Sequence, residues 1–392
     1  MLVLIRNGEI YAPEYLGKKD LLVVDEKIGF IDDQIDVPEG YLRDKIRVVD
    51  AEGKIIVPGF IDSHVHIMGG GGEGSFKTRT PELMLTDATL SGITTLVGVI
   101  GTDGTTRTMA SLVAKARGLE EEGLTCYVQT GSYQVPVKTL TDKIEDDIIL
   151  VDRIIGAGEI AIADHRSSQP SVEEMAKIAS AARVGGILSG KAGIVNVHVG
   201  DSPDCLTLLE EVVDQTDIPI KQFYPTHINR NKRLFEAGIA YAKKGGYVDF
   251  TTSTIPKFLE EGEVKCSRGL KRMLEAGVPI EQISFTSDGQ ASLPEFDENG
   301  DFKGLKLGKV SSLYKEVKDA VLEENIPLET AIQVVTSTPA HILKLKHKGR
   351  IVEGNDADLV LLDKETLAID TVLAKGIIMV QDKEAIVKGT FE

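Results

Sequence analysis

The middle of the chain alternates two hydrophobic patterns. Short, densely apolar runs of strand character lie at 55–67 (IIVPGFIDSHVHI), 94–100 (TTLVGVI), 125–133 (TCYVQTGSY) and 159–164 (EIAIAD). Four more follow at 194–200 (IVNVHVG), 220–228 (IKQFYPTHI), 247–252 (YVDFTT) and 283–289 (ISFTSDG). Between them apolar positions recur at helical spacing, among others at 81–92, 171–186, 205–215, 231–246 and 267–278. Two further helical runs, 310–324 and 328–344, come after the eighth strand. Alternating strand and helix predicts a parallel sheet, and eight strands are the number that closes a (β/α)8 barrel. A doubly wound open sheet is the alternative.

The ends of the chain differ from the middle. Segments 2–10, 20–31 and 46–54 at one end, and 356–363 and 377–392 at the other, read as short strands punctuated by Asp, Gly and Pro. Neither end has apolar surface enough for an independent core. Residues 1–54 and 350–392 are therefore expected to build one small β-sandwich domain together, leaving 55–349 for the barrel.

Composition narrows the partners. The formal net charge of −17 over 392 residues disfavours nucleic acid and anionic membranes unless a local basic patch exists, and none is evident in the sequence. No apolar stretch approaches the roughly 18 residues of a membrane span. Cys126, Cys205 and Cys266 are an odd number at long spacing, which is neither a disulfide framework nor a CxxC metal site. A soluble, cytoplasmic protein is expected.

In a barrel of this class the chemistry sits at the carboxyl ends of the strands. The first strand ends in His64-Val65-His66, and residues two apart on a strand share a face, so both imidazoles can reach one ion. Alone this pair is a weak signal. The fifth strand, however, ends in His198, the sixth in His227 and the eighth in Asp288, so four of the seven histidines fall at strand ends. That placement points to a metal centre. Asp288 would serve both as a ligand and as a proton carrier, taking a proton from the attacking water and delivering it to the leaving amine.

These segments resemble a known family. PGFIDSHVHI is similar to the signature of the amidohydrolase superfamily, as is the pairing of a split β-module with the late segment DADLVLLD. Over essentially the whole chain the nearer resemblance is to bacterial isoaspartyl (β-aspartyl) dipeptidases, through HVHIMGGGGEG, GTDG, TGSYQVP, ADHRS, NVHVGDS, FYPTHINRN and TSDGQAS. The resemblance implies a binuclear zinc centre with His64, His66 and Asp288 on one ion and His198 and His227 on the other. It implies a hydroxide bridging the metals as nucleophile, and Tyr133 as the group that polarises the scissile carbonyl. Glu73 would hold the substrate's α-ammonium, Arg166 and Arg230 its carboxylates, with lesser contacts from Gly71, Thr102 and Ser292. It also implies a homo-oligomer, such as an octamer. Read without the family, Tyr133 is a core aromatic, and Glu73, Arg166 and Arg230 are ordinary surface charges.

One position departs from the family. Where a carboxylated lysine usually bridges the metals, counting back from Asp164-His165-Arg166 gives Glu159. A glutamate already carries a carboxylate and is expected to bridge both metals without carbon dioxide, but it is the shorter arm, so its strand must lie nearer the metals. The other reading is a strand cap beside a mononuclear site. The alternatives for the whole chain are a cyclic-amide hydrolase of dihydroorotase or hydantoinase type, for which Glu73 has less use, and a non-enzymatic scaffold, which would not need every metal ligand.

Overall fold

The computed structural model describes residues 2–36, 45–297 and 302–392. Each of the eight apolar runs forms a strand: β1 (Phe60–Val65), β2 (Ile93–Gly98), β3 (Thr125–Thr130), β4 (Ile154–Ile162), β5 (Ile194–Val199), β6 (Phe223–Thr226), β7 (Val248–Thr251) and β8 (Ile283–Thr286). Strands β1 to β6 lie side by side in chain order in one curled parallel sheet, and β7 and β8 form a parallel pair. Backbone bonds reach between the two. Ile228 N donates to Asp249 O at 3.1 Å beside β6 and β7, and His66 N donates to Gly289 O at 2.9 Å beside β8 and β1. Almost every residue of the six-stranded sheet is buried, as expected where both faces are covered.

The connecting helices start where local chemistry favours it. Helix Val172–Ser189 opens with a reciprocal capping pair, Ser171 and Glu174, and ends on left-handed Gly190. Helix Lys232–Lys243 is capped by Asn231, whose side chain accepts from Leu234 N at 2.9 Å. Two predicted helices are shorter than their hydrophobic runs. The run at 81–92 forms only Leu85–Thr89, and 328–344 breaks into Leu328–Ala331, a 3-10 turn and Ser337–Ile342, because Thr336 leaves helical backbone angles.

The apolar run 55–67, read as a single strand, is two. Lys54–Pro58 joins the terminal sheet, antiparallel to Leu359–Asp363, and β1 begins only at Phe60. Gly59 is the hinge: its amide donates to Asp358 O at 2.8 Å, and a Cβ there would lie 2.3 Å from Thr94 Oγ1. The ladders connect nine strands from both chain ends in one mixed sheet, with a core of its own that includes Val3, Ile5, Leu21, Ile56, Leu359 and Leu361. Residues 37–44 of this region lie outside the described ones. The three cysteines are buried and unpaired, and no described helix is long and apolar enough to cross a membrane.

The expectation of no basic patch needs correction. Arg183, Lys221, Lys344 and Lys346 surround one cavity at the amino ends of β5 to β7, and no acidic residue lines it. Folding brings Arg183 and Lys221 to the basic run at 344–350.

Lys348 ties the terminal strands to the parallel sheet. Its ammonium is buried, 2.5 Å from Asp358, 2.8 Å from Asp356 and 2.7 Å from Thr125 Oγ1. Removing one partner of a buried ion pair strands the other. Lys348→Met should therefore lower unfolding free energy by about 3 kcal/mol or more, measured by urea denaturation. A change below about 1 kcal/mol would show that the tie contributes little.

Candidate metal centre and substrate cavity

The residues singled out at the strand ends converge on Glu159. In the β4–β5 ladder Val195 pairs with Ala157 but Val197 with Ile160, so Gly158 and Glu159 form a bulge. Gly158 has a φ of +145°, and a Cβ there would lie 2.6 Å from Asn196 O. Only glycine fits, and the bulge re-aims the next side chain. Glu159 Oε2 comes within 3.3 Å of His64 Nε2, 3.3 Å of His198 Nδ1 and 3.9 Å of His227 Nε2. Its Oε1 lies 3.7 Å from His66 Nε2. Asp288 completes the cluster, with Oδ1 3.1 Å from His66 Nε2 and 3.7 Å from His64 Nε2. His227 and Asp288, each just past a strand end, hold left-handed backbones at φ +65° and +52°, a conformation uncommon outside glycine.

The cluster fits metal. Both Glu159 oxygens, Asp288 Oδ1 and His64 Nε2 are buried without a hydrogen-bond partner, where buried polar atoms are ordinarily paired. Two groups of three have ligand atoms within 4.8 Å of one another: His64, Glu159 and His227, and His64, His66 and Asp288. Surrounding side chains aim the rings. His64 Nδ1 lies 3.0 Å from Asn196 Oδ1, and His227 Nδ1 bonds Thr251 Oγ1, which leaves each Nε2 facing the centre.

The electrostatics agree. Burial pushes the Glu159 carboxyl up, but the charge of His64 and the nearby imidazoles of His198 and His227 hold it well below the ordinary range. Asp288 is likewise lowered against burial, chiefly by His66. His64 is raised to about 9, burial opposing and Glu159 the strongest cause of the rise. Burial and the neighbouring Arg230 hold His227 neutral, the form that ligates metal. The buried carboxylates thus call for positive charge between them.

His198 stands apart from the other ligands expected. It faces Glu159, yet its Nδ1 is also 2.8 Å from Tyr133 OH and its Nε2 3.0 Å from Asp164 Oδ2, and it belongs to neither group of three.

Above the cluster opens a cavity of about 680 Å³, lined by Gly71, Glu73, Thr102, Tyr133, Arg166, Arg230 and Ser292, together with His66, His198, His227 and Asp288. Every residue expected to contact substrate therefore borders one cavity, which His64 and Glu159 do not line. Burial pushes the Tyr133 phenol well up, which keeps it a neutral donor. Arg166 grips Asp164 with two bonds, Nε–Oδ1 at 3.0 Å and Nη2–Oδ2 at 2.8 Å, lies 5.3 Å above the Tyr133 ring and comes within 3.5 Å of Glu73. Thr102 Oγ1 donates to Glu73 at 3.1 Å.

Sequence reasoning missed Asp164, which joins His198 to Arg166, although it sits two residues before Arg166 at the end of β4. It also missed Asn196 and Thr251, which only folding places behind the rings, and Asp103 and Arg107 in the cavity wall.

The amidohydrolase family model matches residues 55–391. The beta-aspartyl dipeptidase of the thermophilic, keratin-degrading Fervidobacterium islandicum AW-1, solved in complex with the β-Asp-Leu dipeptide, is 42% identical, with 98% of each chain covered and a TM-score of 0.89. A D-hydantoinase structure shares the fold at 19% identity and a TM-score of 0.69, covering 100% of this chain and 97% of its own. The dihydroorotase of Lactobacillus johnsonii is 23% identical, over 93% of this chain and 90% of its own length. With the matched segment running through the strands that carry the histidines, the cluster and the cavity, the chain belongs to the amidohydrolase family and is a hydrolase of that type.

Proposed function

We propose that this protein hydrolyses the β-linked amide of isoaspartyl dipeptides at a binuclear metal centre in the mouth of a closed (β/α)8 barrel. The observation that carries the reading is that Glu73, Arg166 and Arg230 line the cavity above the cluster, with Arg166 Nη1 3.5 Å from Glu73. An isoaspartyl dipeptide bears one ammonium and two carboxylates, the complementary set. The dipeptidase sharing 42% identity was solved with such a ligand. The backbone bonds from β6 to β7 and from β8 to β1 support closure of the barrel.

His64, His66 and Asp288 would hold one ion and His198 and His227 the other, with the Glu159 carboxylate between them. Imidazole and carboxylate donors suit zinc. When bound, the metals supply a nucleophile from water near neutral pH and a Lewis acid for the carbonyl. Asp288 takes the proton of the attacking water and passes it to the leaving nitrogen. Tyr133 donates to the carbonyl oxygen as negative charge develops there. Glu73 accepts from the α-ammonium, Arg166 and Arg230 hold the carboxylates, and Gly71, Thr102 and Ser292 complete the wall.

The direct test is a substrate panel assayed before and after chelation. The purified protein should cleave β-Asp-Leu, lose that activity with chelator, regain it with zinc, and leave dihydroorotate and hydantoins essentially untouched. Preference for the cyclic amides would replace the dipeptidase reading with the cyclic-amidase one.

Asp288→Asn should reduce turnover on β-Asp-Leu by at least about 10²–10⁴-fold, the usual cost of a lost general acid–base group, with the fold intact by circular dichroism. A variant of near-full activity removes Asp288 from the proton path.

A glutamate bridge needs no carbon dioxide. Metal-free protein should regain full activity with two equivalents of zinc in carbonate-free buffer, at a rate that bicarbonate does not change. Glu159→Ala should bind at least one metal fewer by elemental analysis, because two close cations would lack the anion that offsets their repulsion. Two metals and normal turnover in that variant would make Glu159 a structural residue.

A further inference from the structure

Glu73 sits on a glycine-rich loop whose backbone is bonded at its base to Gln290, Thr78 and Thr80. Residues 69–72 are all glycine, with φ of +77°, +65° and +104° at Gly69, Gly71 and Gly72. Side chains 73–77 are exposed, Phe76 at 84%. No apolar anchor fixes the crown, and a four-glycine segment is costly to order. Yet a carboxylate that is to meet an ammonium must be held in place before binding.

The side-chain tie to the loop comes from the neighbouring turn between β2 and helix Met109–Glu121. Arg107 is buried, only 5% exposed, and donates from Nη2 to Gly70 O at 2.6 Å, with Nη1 3.5 Å from Gly71 O. Asp103 stands beside it, Oδ2 3.5 Å from Arg107 Nη1, and is itself set by Thr105 N at 3.1 Å, Thr106 N at 2.8 Å and the Thr106 hydroxyl. The same Oδ2 receives Arg79 Nη1 at 2.7 Å, and Arg79 forms the foot of the loop, bridged to Gly71. From that turn Thr102, adjacent to Asp103, reaches Glu73. Crown and foot of the glycine loop are thus both fastened to residues 102–107.

Burying a guanidinium beside a second cation, with one carboxylate between two arginines, is unfavourable unless the position matters. Arg107 Nε is buried without a partner, so part of the side chain's hydrogen-bonding capacity is given up. It spends its best bond on a backbone carbonyl that any chain segment could offer. What is particular to Gly70 is its place three residues before Glu73.

We propose that Arg107, oriented by Asp103, is the positioning residue for ammonium recognition: it clasps the glycine loop through Gly70 and so fixes Glu73 at the cavity mouth. The inference rests on the reading of Glu73 as the ammonium site. Arg107 is buried behind Glu73 at the edge of the cavity, and its effect runs through Glu73.

A double-mutant cycle tests this with the zinc-loaded protein. Glu73→Gln, Arg107→Ala and the double variant are assayed on β-Asp-Leu, with zinc content measured for each. Arg107→Ala should raise KM about tenfold, a factor typical of one lost charged hydrogen bond, and leave zinc content unchanged. In the Glu73→Gln background the same substitution should cost less than about twofold further, because the two act as one unit. Arg107→Lys, which keeps the charge, should recover part of the loss. Amide hydrogen exchange at 70–74 should rise in Arg107→Ala, a readout independent of any substrate. Losses that multiply in the double variant, or unchanged exchange in the loop, overturn the clasp. If the wild type does not cleave β-Asp-Leu, the functional reading falls, and loop exchange alone still decides whether Arg107 holds the loop.

Discussion

A carboxylate almost wholly removed from water, among four imidazoles, is the constraint on which the rest of this molecule depends. Glu159 is 1% exposed and has no hydrogen-bond partner for either oxygen. An isolated buried carboxylate would be costly enough to neutralise itself. Here the surrounding imidazoles keep it ionised, and the proposed metals would do so more strongly. The balance holds only if β1, β4, β5 and β6 bring their ends together, so the alignment of the sheet and the charge of the centre stabilise one another. The bulge at Gly158 is part of the same constraint, because it turns the Glu159 side chain toward the imidazoles.

From that centre a line of charged contacts runs outward. Glu159 faces His198, His198 meets Asp164, Asp164 holds Arg166 by two bonds, and Arg166 comes close to Glu73. The line joins the buried cluster to the wall that would read the substrate, so a shift of Asp164 would be felt at both. The chain carries a net charge of −17, so its overall field repels a small anion. Capture of such a ligand depends on guanidiniums held close to the cavity, and the charges of the wall act at short range. The Arg107 clasp extends the same design to the glycine loop, fixing one carboxylate by spending another buried cation behind it.

Local pattern and tertiary structure contributed different things. Strand and helix alternation, the placement of His64, His66, His198 and His227 at strand ends, and the sharing of one sheet by both chain ends were legible, because period and position are properties of the sequence. So was Glu159 as a carboxylate at the strand position that faces those histidines. The break at Gly59 was not legible: an unbroken apolar run looks the same whether it serves one sheet or two, and only the close approach of Thr94 and Asp358 decides. The basic run at 344–350 stands in the sequence, but that Arg183 and Lys221 join it was not legible, because they come from separate stretches of chain.

By itself the sequence determined the element order and which side chains stand at the carboxyl ends of the strands, since both follow from the two-residue period of a strand and the polarity of a parallel sheet. Tertiary structure alone decided how close those side chains come and which way they point. The bulge at Gly158, the turning of His64 by Asn196 and of His227 by Thr251, the contact of His198 with Asp164, and the hold of Arg107 on Gly70 are all contacts between residues on different elements. Their distances depend on how the elements pack, and no window of sequence contains both partners and the space between them.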